Sequence, residues 1–255
     1  MKNRIIHLSD LHIGYRSCGA KAEKIVATII KEEDPVGCVI VITGDLVEQG
    51  RRDINLKEAF YLVRKLRDRG FKILICPGNH DCGTGFINSG RYAKNFRQMF
   101  LPEVDEFPQV EIINGVAFIG LDSNEEELHW YDRFFADGEL GPGQLSRLDK
   151  ILADPEIKNR TKVVYLHHHP FPYFPFHNLK DSKKLKKVVE NRIDILLYGH
   201  LHFGRSYNNA WGIKVVLDGG SSTGKRSTKV LGIHIKHRVI DLADLSFVEK
   251  NYLAR

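Results

Sequence analysis

The sequence predicts an α/β fold, and three observations carry that reading. The chain has 255 residues, enough for one large domain. Short β-branched runs alternate with stretches whose apolar residues recur at helical spacing, the βαβαβ signature of parallel strands joined by crossover helices. Most of the apolar runs then end in a cluster of polar, metal-ligating side-chain types.

In chain order, residues 5–8, 38–42 and 71–76 read as strands, with helices at 20–33 and 56–69 between them. Later strands are expected at 111–113, 116–121, 162–166, 194–198, 213–217 and 230–236, and helices at 144–153 and 182–191. Beyond about Trp211 the text is mostly strands and turns, which predicts a second, partly antiparallel sheet there. Internal repeats, low-complexity tracts and linkers are absent from the sequence, so residues 1–255 are expected to form a single domain.

Composition narrows the class. With 42% hydrophobic and 27% charged residues the chain has an ordinary globular balance, and its formal charge of +6 favours an anionic ligand or surface. The cysteines, Cys18, Cys38, Cys76 and Cys82, form no C-x-x-C pair, and Cys38 and Cys76 sit inside apolar runs, so neither disulfides nor a structural zinc site is expected. The first residues, MKNRIIHLSD, lack the apolar core of a signal peptide, and no stretch reaches the length of a membrane span. A cytoplasmic location is therefore expected.

Strand one runs into Asp10 and His12, strand two into Gly44 and Asp45, and strand three into Asn79, His80 and Asp81. The run 162–166 leads into His167, His168 and His169, and the run 194–198 into His200 and His202. Loops beyond the carboxyl ends of parallel strands form the crevice where α/β proteins bind ligands. Five such ends would gather carboxylate, amide and imidazole groups around one point, a donor set suited to Mn, Fe or Zn. Glycines precede Asp45, Asn79 and His200, where sharp turns would aim the next side chain at the site. Asp10 and His12, two apart in an extended segment, would project to one side with Leu11 opposite.

In order, D-x-H, G-D, G-N-H-D, a histidine after an apolar strand and G-H-x-H resemble the calcineurin-like metallophosphoesterase superfamily, with all five motifs intact between Asp10 and His202. Within it, LDS at 121–123, GELGPGQLSRLDKIL and LHHHPFP look most like class III cyclic nucleotide phosphodiesterases. The resemblance implies a four-layer αββα sandwich, two mixed β-sheets flanked by helices, around two divalent metal ions. It places Asp10, His12 and His202 on one ion and Asn79, His167 and His200 on the other, with Asp45 bridging. His167 is chosen because the family's ligand is the first histidine after the strand; His168 and His169 then face the sheet interior or the rim. His80 matches the family's catalytic histidine, beside the phosphate rather than on a metal.

That chemistry suits these residue types. Two ions about 3.5–4 Å apart would share a bridging hydroxide and clamp both oxygens of an in-line displacement at phosphorus. Two dications less two carboxylates and one hydroxide leave the site positive, which suits a small anionic phosphoester. His80 would donate a proton to the leaving alkoxide. Glu48 and Asp81 are both candidates to orient it, Asp81 equally as a loop-capping carboxylate.

Other stretches carry weaker signals. GGSSTGKRS, 219–227, lacks the Ser or Thr that a phosphate-binding loop needs after its lysine, and reads as a turn between strands. HHHPFPYFPFH, 167–177, excludes helix and reads as a stiff loop at the site mouth, stacking a base, shielding a lipid chain or packed on its own aromatics. SKKLKKVVENR, 182–192, is a basic helix, either a solvated face or a contact with anionic membrane. His129, Trp130, Tyr131 and Arg133 are candidates to line the substrate side, and His234 and His237 are expected to be structural or exposed.

The expected function is metal-dependent hydrolysis of a phosphodiester, with a 3′,5′-cyclic nucleotide as leading substrate. The rivals are a nuclease, although no basic stripe interleaved with aromatics marks a backbone-tracking groove, and a pyrophosphatase acting on a nucleotide-linked lipid. A catalytically silent interaction scaffold of the same fold is the non-enzyme alternative, against which the intact ligands and His80 weigh.

Overall fold

The computed structural model describes residues 3–83, 90–124, 137–171, 177–224 and 235–253. The first sheet holds β1 (Arg4–Leu8), β2 (Cys38–Thr43) and β3 (Lys72–Cys76), parallel and linked by α1 (Cys18–Glu32) and α2 (Asp53–Asp68). After α3 (Gly90–Phe100) the chain enters a second sheet with β4 (Gln109–Ile113) and β5 (Val116–Gly120). Helices α4 (Gly141–Ala153) and α5 (Pro155–Lys158) precede β6 (Lys162–Tyr165), and α6 (Ser182–Val189) precedes β7 (Ile195–Tyr198). β8 (Ser206–Ala210) and β9 (Ile213–Asp218) complete that sheet, and β10 (Arg238–Asp241) and β11 (Phe247–Glu249) return to the first.

The strand orders are β11-β10-β1-β2-β3 and β4-β5-β6-β7-β9-β8. Both sheets are mixed. In the first, β10 pairs antiparallel with β1; in the second, β5, β6, β7 and β9 run parallel between antiparallel edges β4 and β8.

The period of two along each parallel strand explains the layering. Ile5, Val39 and Val41 face the second sheet, in one core with Val163, Tyr165, Ile195 and Leu197. Their neighbours Ile6, Ile40 and Ile42 face the other way, into a core with Ile25, Ile29, Leu62 and Leu66 of α1 and α2. Val164, Leu166 and Leu196 likewise meet Leu145, Leu148, Leu185 and Val189 of α4 and α6. Three apolar seams thus separate four layers, helices, sheet, sheet, helices, the architecture the family resemblance implied.

Two expectations are corrected. The second sheet is not assembled after Trp211; it starts at β4, and the tail strands β10 and β11 extend the first sheet instead. Helix α3 was not anticipated; its apolar face, the buried Phe96 and Phe100 with the partly buried Met99, lies within a polar stretch. Of the strand expected at 230–236, residues 230–234 lie outside the described residues, and Ile235 forms only an isolated bridge with Ser221. His129, Trp130, Tyr131, Arg133, His234 and 172–176 of the aromatic loop also lie outside the described residues. The four cysteines are separate buried thiols. Among the described residues no helix is long and apolar enough to cross a membrane.

Candidate metal centre

The five polar strand ends come from both sheets, β1, β2 and β3 of the first and β6 and β7 of the second, and converge where the sheets face each other. Beyond β1 the chain continues alongside the segment after β2. Asp10 N donates to Gly44 O, His12 N to Asp45 O and Ile13 N to Leu46 O, at 3.1, 3.0 and 3.0 Å.

This stretch is not extended. Asp10 and His12 have φ of 51° and 47°, and Asp45, His200 and His202 are left-handed too, at 50°, 78° and 62°. Alternate left-handed residues, rather than strand pleating, turn Asp10 and His12 inward while Leu11 packs in the core. Non-glycine residues in this region cost of order 1 kcal/mol or more each and persist where the surroundings over-determine them. Here the surroundings are two hydroxyls and a backbone N–H from 221–223. Ser221 Oγ donates to Asp10 O (3.0 Å), Thr223 Oγ1 to Leu11 O (2.9 Å), and Ser222 N to Ser9 O (2.9 Å). The stretch that mimics a phosphate-binding loop is a clamp on the first ligand segment, a role with no local sequence signal.

Of the glycines expected at turns, only Gly44 has positive φ, 79°; a Cβ there would also lie 2.5 Å from His167 Nδ1. Gly199 instead supplies space, since its Cβ would lie 2.5 Å from Asp10 Oδ2.

The side chains form two adjoining groups. In the first, His12 Nε2 and His202 Nε2 are 3.1 Å apart and Asp10 Oδ1 lies 3.0 Å from His202 Nε2. In the second, His167 Nε2 lies 3.0 Å from Asn79 Oδ1 and 3.2 Å from His200 Nδ1. Asp45 stands between them, with Oδ2 3.6 Å from His12 Nε2 and Oδ1 3.5 Å from His167 Nε2. Outer contacts fix the imidazole tautomers. His12 Nδ1 is 3.0 Å from Glu48 Oε2 and His167 Nδ1 is 2.8 Å from Thr43 O, so both present a bare Nε2 inward.

His80 sits beside this cluster, its ring edge-on to His12 at 4.8 Å. Its Nδ1 donates to the carbonyl of Glu48 at 2.8 Å, with the Glu48 carboxylate 3.9 Å away. Asp81 is the loop cap: its carboxylate accepts from Val47 N and Gly78 N, both at 2.9 Å. Burial and the nearby Asp45 charge push the Asp81 pKa up to about 7.

His168 and His169 are buried rather than at the rim. His168 Nδ1 lies 2.7 Å from Ser123 Oγ, and its ring backs His200 at 4.6 Å, a contact the sequence reading missed. Burial and the neighbouring His167 push its pKa well down. His169 packs on the Tyr198 ring at 4.8 Å and bonds to Phe171 O. Burial and adjacent imidazoles likewise hold His200 neutral, whereas for His167 the carboxylates of Asp45 and Asp10 outweigh burial and raise the pKa.

These residues fit divalent metal ions. Among the described residues Asp10 Oδ1 is a buried carboxylate oxygen without a hydrogen-bond donor, and the Nε2 atoms of His12 and His202 lie 3.1 Å apart beside it, within reach of one cation. The donor set of imidazoles, carboxylates and one amide oxygen suits borderline divalent ions.

A family profile described as calcineurin-like phosphoesterase matches residues 3–204. A protein of Rhodococcus erythropolis named "Probable cyclic nucleotide phosphodiesterase" is 26% identical over 218 residues, 79% of this chain and 65% of that protein. The "DNA double-strand break repair protein Mre11" of Haloferax volcanii is 29% identical over 150 residues, 52% of this chain and 32% of that protein. The chain thus spans under two-thirds of the length of these relatives. Among solved structures, a dimetal phosphatase from Danio rerio superposes with a TM-score of 0.63 at 15% identity, over 86% of this chain and 87% of that one. At that identity the likeness is one of fold.

Proposed function

Because the chain belongs to the calcineurin-like phosphoesterase family, we propose that it is a metal-dependent phosphodiesterase acting through the two side-chain groups that Asp45 joins. The observation that carries this reading is the double convergence: two imidazole pairs, each with its own oxygen ligand, on either side of one carboxylate. Asp10, His12 and His202 are one ion's ligands, Asn79, His167 and His200 the other's, and Asp45 serves both. When bound, two such ions supply Lewis acidity to the phosphoryl oxygens and a hydroxide nucleophile at neutral pH.

The chain's own groups do the rest. Burial of Asp10, Asp45, His12 and His167, with His200 and His202 half-buried at the open side, limits screening of the centre's field by water. With Nδ1 committed to Glu48 O, His80 is left with Nε2 as the nitrogen that would donate a proton to the leaving alkoxide. Neutral Asn79 and the four ligand histidines leave only Asp10 and Asp45 to offset two dications, so a phosphodiester anion is attracted.

A 3′,5′-cyclic nucleotide is the proposed substrate, supported by the Rhodococcus relative, whose similarity covers 79% of this chain. The second reading, a nuclease, is supported by the Mre11 relatives and the net charge of +6. Purified protein loaded with Mn²⁺ is expected to hydrolyse a generic aryl phosphodiester, and a panel of cyclic nucleotides, single-stranded DNA and nucleotide-linked lipid then identifies the substrate. Wild-type protein that carries two ions per chain yet stays inert on every member of the panel would replace the enzyme with a scaffold.

A further inference from the structure

We infer that His7, Thr43 and Ser9 form a positioning relay that locks the Asp10 carboxylate in register for its ion, a role that rests on the metal-centre reading above. Ser9 Oγ lies 2.5 Å from Asp10 Oδ2 and 2.8 Å from Thr43 Oγ1, and Thr43 Oγ1 lies 2.9 Å from His7 Nε2. All four residues are fully buried. The relay crosses from β1 to the end of β2 and back, so two of its three hydrogen bonds link residues more than thirty positions apart, and the third joins the neighbours Ser9 and Asp10.

The direction of every hydrogen follows from the end of the chain. An ionised carboxylate only accepts, so the Ser9 hydroxyl donates to Asp10 Oδ2. Ser9 Oγ then accepts from the Thr43 hydroxyl, and Thr43 Oγ1 accepts from His7 Nε2–H. His7 is thereby the neutral Nε2–H tautomer, and its Nδ1, buried without a donor, completes the pattern. Burial, reinforced by the Arg238 charge, holds the His7 pKa down at about 3, so the relay keeps one polarity across neutral pH.

The consequence falls on Asp10. Its Oδ2 accepts from Ser9 Oγ and also from His200 N at 3.1 Å, which occupies that oxygen. Oδ1, with no donor, is left facing His202 Nε2. The carboxylate is thus presented through one oxygen, with its swing towards two-oxygen binding blocked. Water cannot replace the relay, because Gly199 and Gly219 close over it: a Cβ on Gly219 would lie 2.5 Å from Ser9 Cβ and 3.0 Å from His7 Nε2.

The test is calorimetric titration of Mn²⁺ into the metal-stripped full chain, with circular dichroism to verify folding. Wild type should bind two ions in two steps. Ser9→Ala should weaken one step by about 10–100-fold, the scale of outer-shell effects on metal sites, and leave the other within about threefold. Thr43→Val keeps shape but removes the hydroxyl and should weaken the same step by roughly tenfold, while Thr43→Ser, which restores the hydroxyl, should return it to the wild-type value. Folded Ser9→Ala and Thr43→Val proteins that bind both ions like wild type would overturn the relay. So would equal weakening of both steps with Thr43→Ser no better than Thr43→Val, since that is a packing effect. Should Ser9→Ala fail to fold, the Val and Ser pair at position 43 decides. A wild-type chain that does not take two ions sinks the metal-centre reading itself, a result distinct from either outcome above.

Discussion

The two halves of the centre are built from the same kinds of residue but are not equivalent. Asp10, His12 and His202 include a private carboxylate, and His12 is backed by a second one, Glu48, at 3.0 Å. Asn79, His167 and His200 include no carboxylate; His167 is backed by a carbonyl, and among the described residues His200 Nε2 has no hydrogen-bond partner. A carboxylate behind an imidazole raises its basicity more than a carbonyl does. The first half should therefore hold its ion more tightly and the second exchange more readily, with Asp45 the only charge they share. Residues behind the ligands thus distinguish the two halves as much as the ligands themselves do.

The largest effect should come from what the halves have in common. Asp45→Asn is expected to lower kcat by about 10³-fold or more and to weaken both binding steps, read by steady-state kinetics and by metal analysis. Loss of one ion alone would mean that Asp45 serves one half. His80→Ala should cost roughly 10²–10⁴-fold in kcat yet leave two ions per chain, which separates proton donation from metal retention. If metal content falls with it, His80 belongs among the ligands.

A third comparison uses pH, because His7 stands behind the first half only. Its folded pKa, about 3, is below the ordinary 6.5, so the unfolded chain binds the proton more readily. The stability this confers is complete above about pH 6.5 and is lost as pH falls towards 3. In metal-free protein, His7 should contribute roughly 2 kcal/mol to the loss of stability between pH 7.5 and pH 5. Urea unfolding of His7→Gln, which keeps a donor but does not titrate, should show a correspondingly shallower decline; identical slopes would refute the assignment. The smallest effect is a gain. Asn79→Asp gives the second half a private charge, should tighten its ion by about tenfold, and should slow turnover because the centre becomes less positive.

Much of this centre was legible because strand ends are local events. Asp10, His12, Asp45, Asn79, His80, His167, His200 and His202 each close an apolar run, and residue type plus order sufficed to place them together. What supports them was not legible. Ser221 and Asp10 are 211 residues apart, Thr223 and Leu11 are 212 apart, and hydroxyls at such distances leave no periodic trace. The left-handed backbone at Asp10 and His12 was read as extended because glycine, the usual marker of that conformation, is absent there. Sheet membership failed for a related reason: the last strand was expected at 230–236, whereas β10 lies just beyond it, and its antiparallel pairing with β1, which no local pattern announces, assigns it to the first sheet.

That pairing has a kinetic consequence. β1 lies between β2, which follows it closely in the chain, and β10, which begins at Arg238. One side of β1 can zip early through a local crossover, whereas the other must wait for a strand more than two hundred residues downstream. Contacts of such long sequence separation slow folding. The strand that leads into Asp10 should consequently be among the last to gain full hydrogen-exchange protection during refolding, so capacity to bind two ions should appear late, after most of the secondary structure.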